Sequence, residues 1–172
     1  MIFYLQIAIG IILIIAMAYV ILVFLLPPVL GAPFVPTSNA VVETMVALAN
    51  IKPGERMVDL GSGDGRIVIA FAQAGAEAHG YEINPSLVFW SRLNIRRLGL
   101  RNKAFIHWRS FKACDFSKFA IVTTYTLPRF MASLEGKIQT TLPKNGRVVS
   151  HQFRFPNWEP TEVKDKVYLY KS

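Results

Sequence analysis

The chain has 172 residues, 52% of them hydrophobic, and 19 basic against 11 acidic residues give it a formal net charge of +8. Its one cysteine, Cys114, excludes an intramolecular disulfide and a cysteine-based metal cluster, and reads as a reduced packing residue. The first 26 residues are almost wholly apolar, which leaves about 145 for one soluble domain without internal repeats.

Residues 2–26 carry no charge and are interrupted only by Tyr4, Gln6, Gly10 and Tyr19. A helix over them would extend roughly 37 Å, enough to span a bilayer with some tilt. A cleaved signal peptide would need a basic start and a shorter apolar core, and a buried helix would carry a polar stripe. The expected organisation is therefore a transmembrane anchor over 1–26, a proline-rich linker over 27–36 and a folded domain over 37–172. All 19 Lys and Arg follow residue 51. By the positive-inside bias the chain crosses the membrane once, with the domain on the cytoplasmic face. The linker's Pro27, Pro28, Pro33 and Pro36 favour extended backbone, and so a semi-rigid spacer.

Thr37 or Ser38 is placed to cap a helix over 40–48, apolar on one face, which Pro53 and Gly54 should close. Strands are predicted at 58–60, 78–82, 104–107, 120–125 and 147–151, with helices near 66–74, 86–98 and 129–141. This alternation implies a parallel sheet covered on both faces. The tail breaks the rhythm, since 162–166 and 167–171 are strand-like runs with no helix between them, as in an antiparallel hairpin on a sheet edge. Arg92, Arg96, Arg97 and Arg101 cluster on and after the helix near 86–98, where they read as a solvated face or as a contact for lipid or an acidic partner. No nucleic-acid-binding module is recognisable, and no such partner is expected. His79 and His107 lie in or near strand ends and carry no signal of metal ligation.

The chemistry concentrates in Asp59-Leu60-Gly61-Ser62-Gly63-Asp64-Gly65-Arg66. A strand runs into a helix through glycines that let the backbone turn tightly and approach a ligand, with the N–H groups of the new helix facing it. Twenty-one residues after Gly61, Glu82 stands at the end of the second strand, where a carboxylate can accept the hydroxyls of a ribose. A dinucleotide fingerprint would place a third glycine where Arg66 stands. Asp59 would moreover repel a pyrophosphate at the strand end but attract the α-amino group of S-adenosyl-L-methionine. Both points favour the latter cofactor.

With these elements placed, the domain resembles the class I, seven-strand, Rossmann-like methyltransferases. More narrowly, it is similar to the small membrane-associated lysine methyltransferases whose mitochondrial members modify the adenine nucleotide translocase and the ATP synthase c-subunit. The resemblance covers about residues 33–170. It rests on Pro33-Phe34-Val35-Pro36-Thr37-Ser38, on Met57 to Val68 around the glycine loop, on Gly80-Tyr81-Glu82-Ile83-Asn84-Pro85, on Leu142-Pro143 with Arg147-Val148-Val149-Ser150, and on Trp158-x-Pro160. It implies that Asp59 holds the cofactor's amino group and that the backbone of Gly61, Ser62 and Gly63 runs along its methionine moiety. Glu82 would hold the ribose and Ser110 the adenine edge, while Thr37 would reach the carboxylate. Two departures stand out. Ser110 fills a place where many class I enzymes carry an acid, and Tyr125-Thr126-Leu127-Pro128 lacks the Asp/Asn-Pro-Pro-Tyr/Phe of enzymes that methylate nucleic-acid amines.

The expected reaction is methyl transfer to a lysine ε-amine of a membrane protein, for which alignment and water exclusion matter most. Tyr125, ending the fourth strand, is the candidate acceptor-side residue. His151 and Trp158 read as structural. A lipid or quinone acceptor, and a membrane-tethered module that binds cofactor without catalysis, remain as alternatives. The lipid bilayer is the expected partner, and no metal is expected.

Overall fold

A computed structural model describes residues 2–21 and 34–172 and divides into two compact units, 1–33 and 34–172. In the first, helix α1 (Ile2–Val20) is uncharged and apolar but for Gln6 and its two tyrosines, and all its residues from Phe3 onward except Gly10 are exposed. Nineteen residues rise about 28 Å, close to the hydrocarbon thickness of a bilayer of about 30 Å. By length and composition this helix can cross a membrane. Residues 22–26 of the expected anchor and 27–33 of the expected linker lie outside the described residues, and 34–37 form no helix or strand.

The second unit begins with α2 (Asn39–Ala49), capped by Ser38, whose hydroxyl accepts from Val41 N at 3.4 Å. Pro53 and Gly54 were expected to close this helix, but Asn50 does so, in the left-handed region at φ 46° with its N–H bonded to the Ala47 carbonyl. Asn tolerates that conformation because its short polar side chain offsets the Cβ clash. There follow β1 (Arg56–Leu60), α3 (Arg66–Gln73), β2 (Glu77–Glu82), α4 (Pro85–Arg97), β3 (Ala104–Trp108), two short 3₁₀ turns, β4 (Ile121–Thr124), α5 (Pro128–Thr141), β5 (Arg147–His151), β6 (Glu162–Lys164) and β7 (Val167–Lys171).

All seven strands form one sheet in the order β3-β2-β1-β4-β5-β7-β6. The first five run parallel, while β7 pairs antiparallel with both β5 and β6. The terminal hairpin therefore lies at one edge, as predicted. Its first strand stops at Lys164 rather than 166, because Asp165 and Lys166, at φ 50° and 60°, make a two-residue turn matching the twist of the strands. β1 starts two residues earlier than predicted, where Arg56 faces Glu77 across the ladder and bonds it at 2.8 Å.

Two cores flank the sheet. One packs Met45, Phe71 and Ile95 from α2, α3 and α4 against Met57, Ile121 and Val149; the other packs Met131, Leu134 and Ile138 of α5 with Phe116 against Val58, Val122 and Tyr170. Trp158 joins the second, its ring centroid 5.2 Å from that of Tyr170 and 5.7 Å from that of Phe155, so its role is structural as expected. Cys114 is buried and unpaired, and burial pushes its thiol up to about 11. At the amino end of β5, buried Arg147 donates to the Ala49 and Asn50 carbonyls at 2.8 and 2.6 Å and pairs with Glu55, fastening the end of α2 to the sheet.

Candidate active site at the carboxyl ends of β1, β2, β4 and β5

The strand order reverses between β1 and β4, and in open α/β sheets ligands bind at the carboxyl ends of strands beside such a switch. Asp59 is on β1 there, only 2% exposed. Thr123 of β4, its register partner, donates to its carboxylate through Oγ1 at 2.7 Å. Burial pushes the Asp59 carboxyl up to about 7, against the Thr123 hydrogen bond and with the nearby Glu82 charge adding to the rise.

Glu82 ends β2 and is also buried. Its Oε2 accepts from Gly63 N at 2.9 Å, and its Oε1 from Ile83 N and Asn84 N at 2.8 and 2.7 Å. Three backbone donors occupy most of a carboxylate's roughly four acceptor positions, which leaves about one for a ligand hydroxyl. The glycine loop is tied to the same strand: the Tyr81 carbonyl accepts from Gly61 N at 2.9 Å and Ser62 N at 3.0 Å. The loop N–H groups of residues 61–63 are thus committed to protein acceptors, and this part of the loop offers shape and side chains to a ligand.

Gly63 sits at φ 55° under the ring of Phe34, where an added Cβ would lie 2.5 Å from a ring carbon. The segment carrying Phe34 is secured by Arg66, whose guanidinium bonds Asp64 at 2.7 Å and the Thr37 carbonyl at 2.6 Å. Thr37 is buried beside the loop. Sequence reasoning noticed Arg66 only as the wrong residue for a dinucleotide fingerprint; the structure makes it the clamp between loop and incoming chain. Gly80 of β2 leaves room for Ser62, since a Cβ there would lie 2.6 Å from Ser62 Cβ and Oγ and 2.9 Å from Ile106 Cδ1. Gly80→Ala is expected to lower stability by about 1–3 kcal/mol by forcing the loop off the strand. Chemical denaturation checks this, and an unchanged midpoint would mean that the loop is not held against Gly80.

Tyr125, predicted within the fourth strand, lies one residue past β4. Its ring centroid is 4.4 Å from that of His151, at the end of β5, and 6.2 Å from that of Phe153. His151, read from sequence as structural, has a buried Nδ1 without a hydrogen-bond partner among the described residues. Burial and, secondarily, the charge of Lys166 hold its imidazole below the usual value. The Oγ atoms of Ser62 and Thr124 are likewise buried and unpartnered among the described residues. Native proteins satisfy most such atoms, so three of them near the carboxyl ends of β1, β4 and β5 make this end of the sheet a candidate place for polar ligand groups, although a fourth, Arg147 Nε, lies at the opposite end of β5. Ser110 lies two residues past β3, half-buried, and its Oγ accepts from Lys112 N at 3.3 Å, capping a 3₁₀ turn; its O–H stays available. His79 and His107 bond each other at 3.0 Å, and among the described residues no His, Cys, Asp and Glu cluster as metal ligands do.

A seven-stranded sheet of this order, with acids ending β1 and β2 around a glycine loop, defines the class I, S-adenosylmethionine-dependent methyltransferase fold. A family model described as the ANTKMT methyltransferase domain matches residues 59–162, and the chain belongs to that family. It is 38% identical over 142 residues to the lysine N-methyltransferase of the ATP synthase c-subunit from Homo sapiens, a match covering 80% of this chain and 60% of that protein. It thus spans about three fifths of the length of that relative. Identity to a protein-lysine N-methyltransferase of Saccharolobus islandicus is 34% over 148 residues, covering 80% of this chain and 92% of the relative. Among solved structures, an RNA methyltransferase from Salinibacter ruber in complex with S-adenosyl-L-homocysteine superposes with a TM-score of 0.76 at 35% identity, covering 80% of this chain and 93% of that one.

Proposed function

We propose that this protein transfers the methyl group of S-adenosylmethionine to the ε-amine of a lysine in a membrane protein. The observation that carries the reading is the placement of Asp59, Tyr125 and His151. β1, β4 and β5 are neighbours, and the register Asp59↔Thr123↔Val149 sets His151, two residues past Val149, on the same sheet face as Asp59, with the Tyr125 ring centroid 4.4 Å from its own. An acid suited to a cationic amino group thus lies on the same side of the sheet as an aromatic pair whose histidine has a ring nitrogen without a hydrogen-bond partner among the described residues. Similarity to lysine methyltransferases over four fifths of the chain supports the same acceptor.

In this reading Asp59 pairs with the cofactor's α-amino group, Glu82 accepts from a ribose hydroxyl, and the Ser62 and Ser110 hydroxyls serve the methionine and adenine ends. The backbone of Gly61 and Gly63 shapes the wall, with Thr37 beside it. Bound there, the sulfonium supplies an electrophilic methyl carbon. Tyr125 and His151 line the acceptor side: their rings exclude water, and the neutral His151 imidazole takes the proton that the lysine must lose before it can attack. α1 holds the domain, 37–172, at the bilayer as a single-pass anchor, with the domain on the cytoplasmic face.

An RNA acceptor is the second reading, favoured by the Salinibacter relative and the positive charge. Tyr125-Thr126-Leu127-Pro128 offers none of the polar groups that position a base amine at the end of the fourth strand, which weighs against it. Mass spectrometry of membrane proteins from matched strains with and without the gene is expected to show one or a few methylated lysines, near predicted membrane boundaries, that disappear with the enzyme. An unchanged protein profile beside a lost RNA or lipid methylation would overturn the lysine assignment.

A further inference from the structure

The net charge of the chain is concentrated in one segment. From Ile83 to Cys114 there are seven Lys and Arg and no Asp or Glu, leaving twelve basic and eleven acidic residues everywhere else. This segment is α4, β3 and their flanks. α4 buries Val88, Ser91 and Ile95 against the sheet. Its opposite face should be polar in a helix that meets only water. Instead Phe89 is 62% exposed and Trp90 52%, their rings 5.7 Å apart in an edge contact, with exposed Arg96 and Arg97 beside them. Trp108, at the end of β3, is 62% exposed and held outward by a bond from its Nε1 to the Ile83 carbonyl at 3.0 Å. Between Phe89, Arg96 and Trp108 runs a shallow cleft of about 280 Å³.

Exposed aromatic rings, two of them indoles with a polar N–H, set among arginines in a segment that contains no acid, match the boundary between acyl chains and anionic headgroups. We infer that this α4–β3 face is a second membrane contact, in which Phe89, Trp90 and Trp108 enter the interface of an anionic bilayer while Arg96, Arg97 and Arg101 meet phosphate headgroups. The inference rests on the reading of α1 as a bilayer anchor, which keeps the face within reach of lipid and makes weak individual contacts effective. Its consequence is positional. Asn84 and Pro85, which open α4, stand two and three residues after Glu82, so docking this face brings the β2–β3 side of the active site to the headgroup layer, where a lysine at a membrane boundary would be presented.

The full chain in vesicles of phosphatidylcholine and phosphatidylglycerol brominated near the headgroup end of the acyl chains provides the test. Trp158, packed against Phe155 and Tyr170, serves as the internal reference. Fluorescence of Trp90 and Trp108, resolved with single-tryptophan variants, should be quenched severalfold more than that of Trp158. Quenching should fall in about 1 M salt, where the Debye length is about 3 Å, and in the triple variant Arg96→Gln, Arg97→Gln, Arg101→Gln. That variant should still float with the vesicles and keep its circular dichroism. Unquenched tryptophans in protein that floats would overturn the face and leave the anchor standing; protein that does not float would overturn both. Fluorescence that responds to an oligoribonucleotide, is blocked by the triple variant and is indifferent to lipid would overturn the bilayer in favour of RNA.

Discussion

Asp59→Asn is expected to weaken S-adenosylmethionine binding roughly ten- to hundredfold, the equivalent of the ~1.5–3 kcal/mol typical of hydrogen bonds to charged groups. Its effect should also depend on pH. Burial raises the Asp59 carboxyl to about 7, so without ligand the group is largely protonated at pH 6. A cationic amino group beside it favours the ionised form, so binding at pH 6 should release close to one proton, and at pH 8 almost none. Affinity should therefore climb about tenfold per pH unit below 7 and level off above it. Stability of the free protein follows the opposite sign. The folded-state value lies above the unfolded one, so the contribution of Asp59 is fully present below about pH 4 and is lost as pH rises through about 7. Cofactor restores it, and the thermal shift on binding should grow from pH 6 to 8. Calorimetric titration in buffers of different ionisation enthalpy measures the proton release directly. A pH-independent affinity in the wild type would remove Asp59 from the binding site.

The contrast between Asp59 and Arg147 shows what the sequence carries and what it does not. The five parallel strands were legible because they are short runs, largely apolar in all but β2, separated by helical periodicity, and the terminal hairpin because nothing helical interrupts it. Asp59 and Glu82 were legible because the strand–glycine–helix turn fixes where each strand ends. Arg147 and Arg66 were not. Their partners, the Ala49, Asn50 and Thr37 carbonyls, are backbone groups far away in the chain, and no local pattern advertises an acceptor that any residue could supply. The same holds for the glycine loop. Its composition predicted a tight turn, which is present, but the destination of its N–H groups depends on Tyr81 and Glu82 across the ladder. The two 3₁₀ turns at Phe111–Ala113 and Phe116–Lys118 also went unread, being too short to show a period. The contact of His151 with Tyr125 was hidden because a histidine at a strand end has no distinctive spacing, and only the pairing that brings β4 beside β5 sets the two rings together.

His151→Gln is expected to lower the rate of methyl transfer to a lysine peptide by about 10²–10⁴-fold, the usual contribution of a positioned base, while leaving cofactor affinity nearly unchanged. Burial and, secondarily, Lys166 keep the imidazole below its usual value, so it is neutral and able to take a proton at pH 7. The wild-type rate should rise with pH only until His151 is neutral, below about 6.5, and then remain flat. In the Gln variant the acceptor must shed its proton to water, and the rate should keep climbing about tenfold per pH unit toward the lysine value of about 10.4. Tyr125→Phe, which keeps the ring packed against His151 and deletes only the hydroxyl, should retain the flat profile and lose less activity. A histidine that merely packs against Tyr125 would behave differently: its replacement would lower the unfolding midpoint and scale the rate at every pH alike. The shape of the pH–rate profile, rather than the size of the loss, decides whether His151 is the proton acceptor.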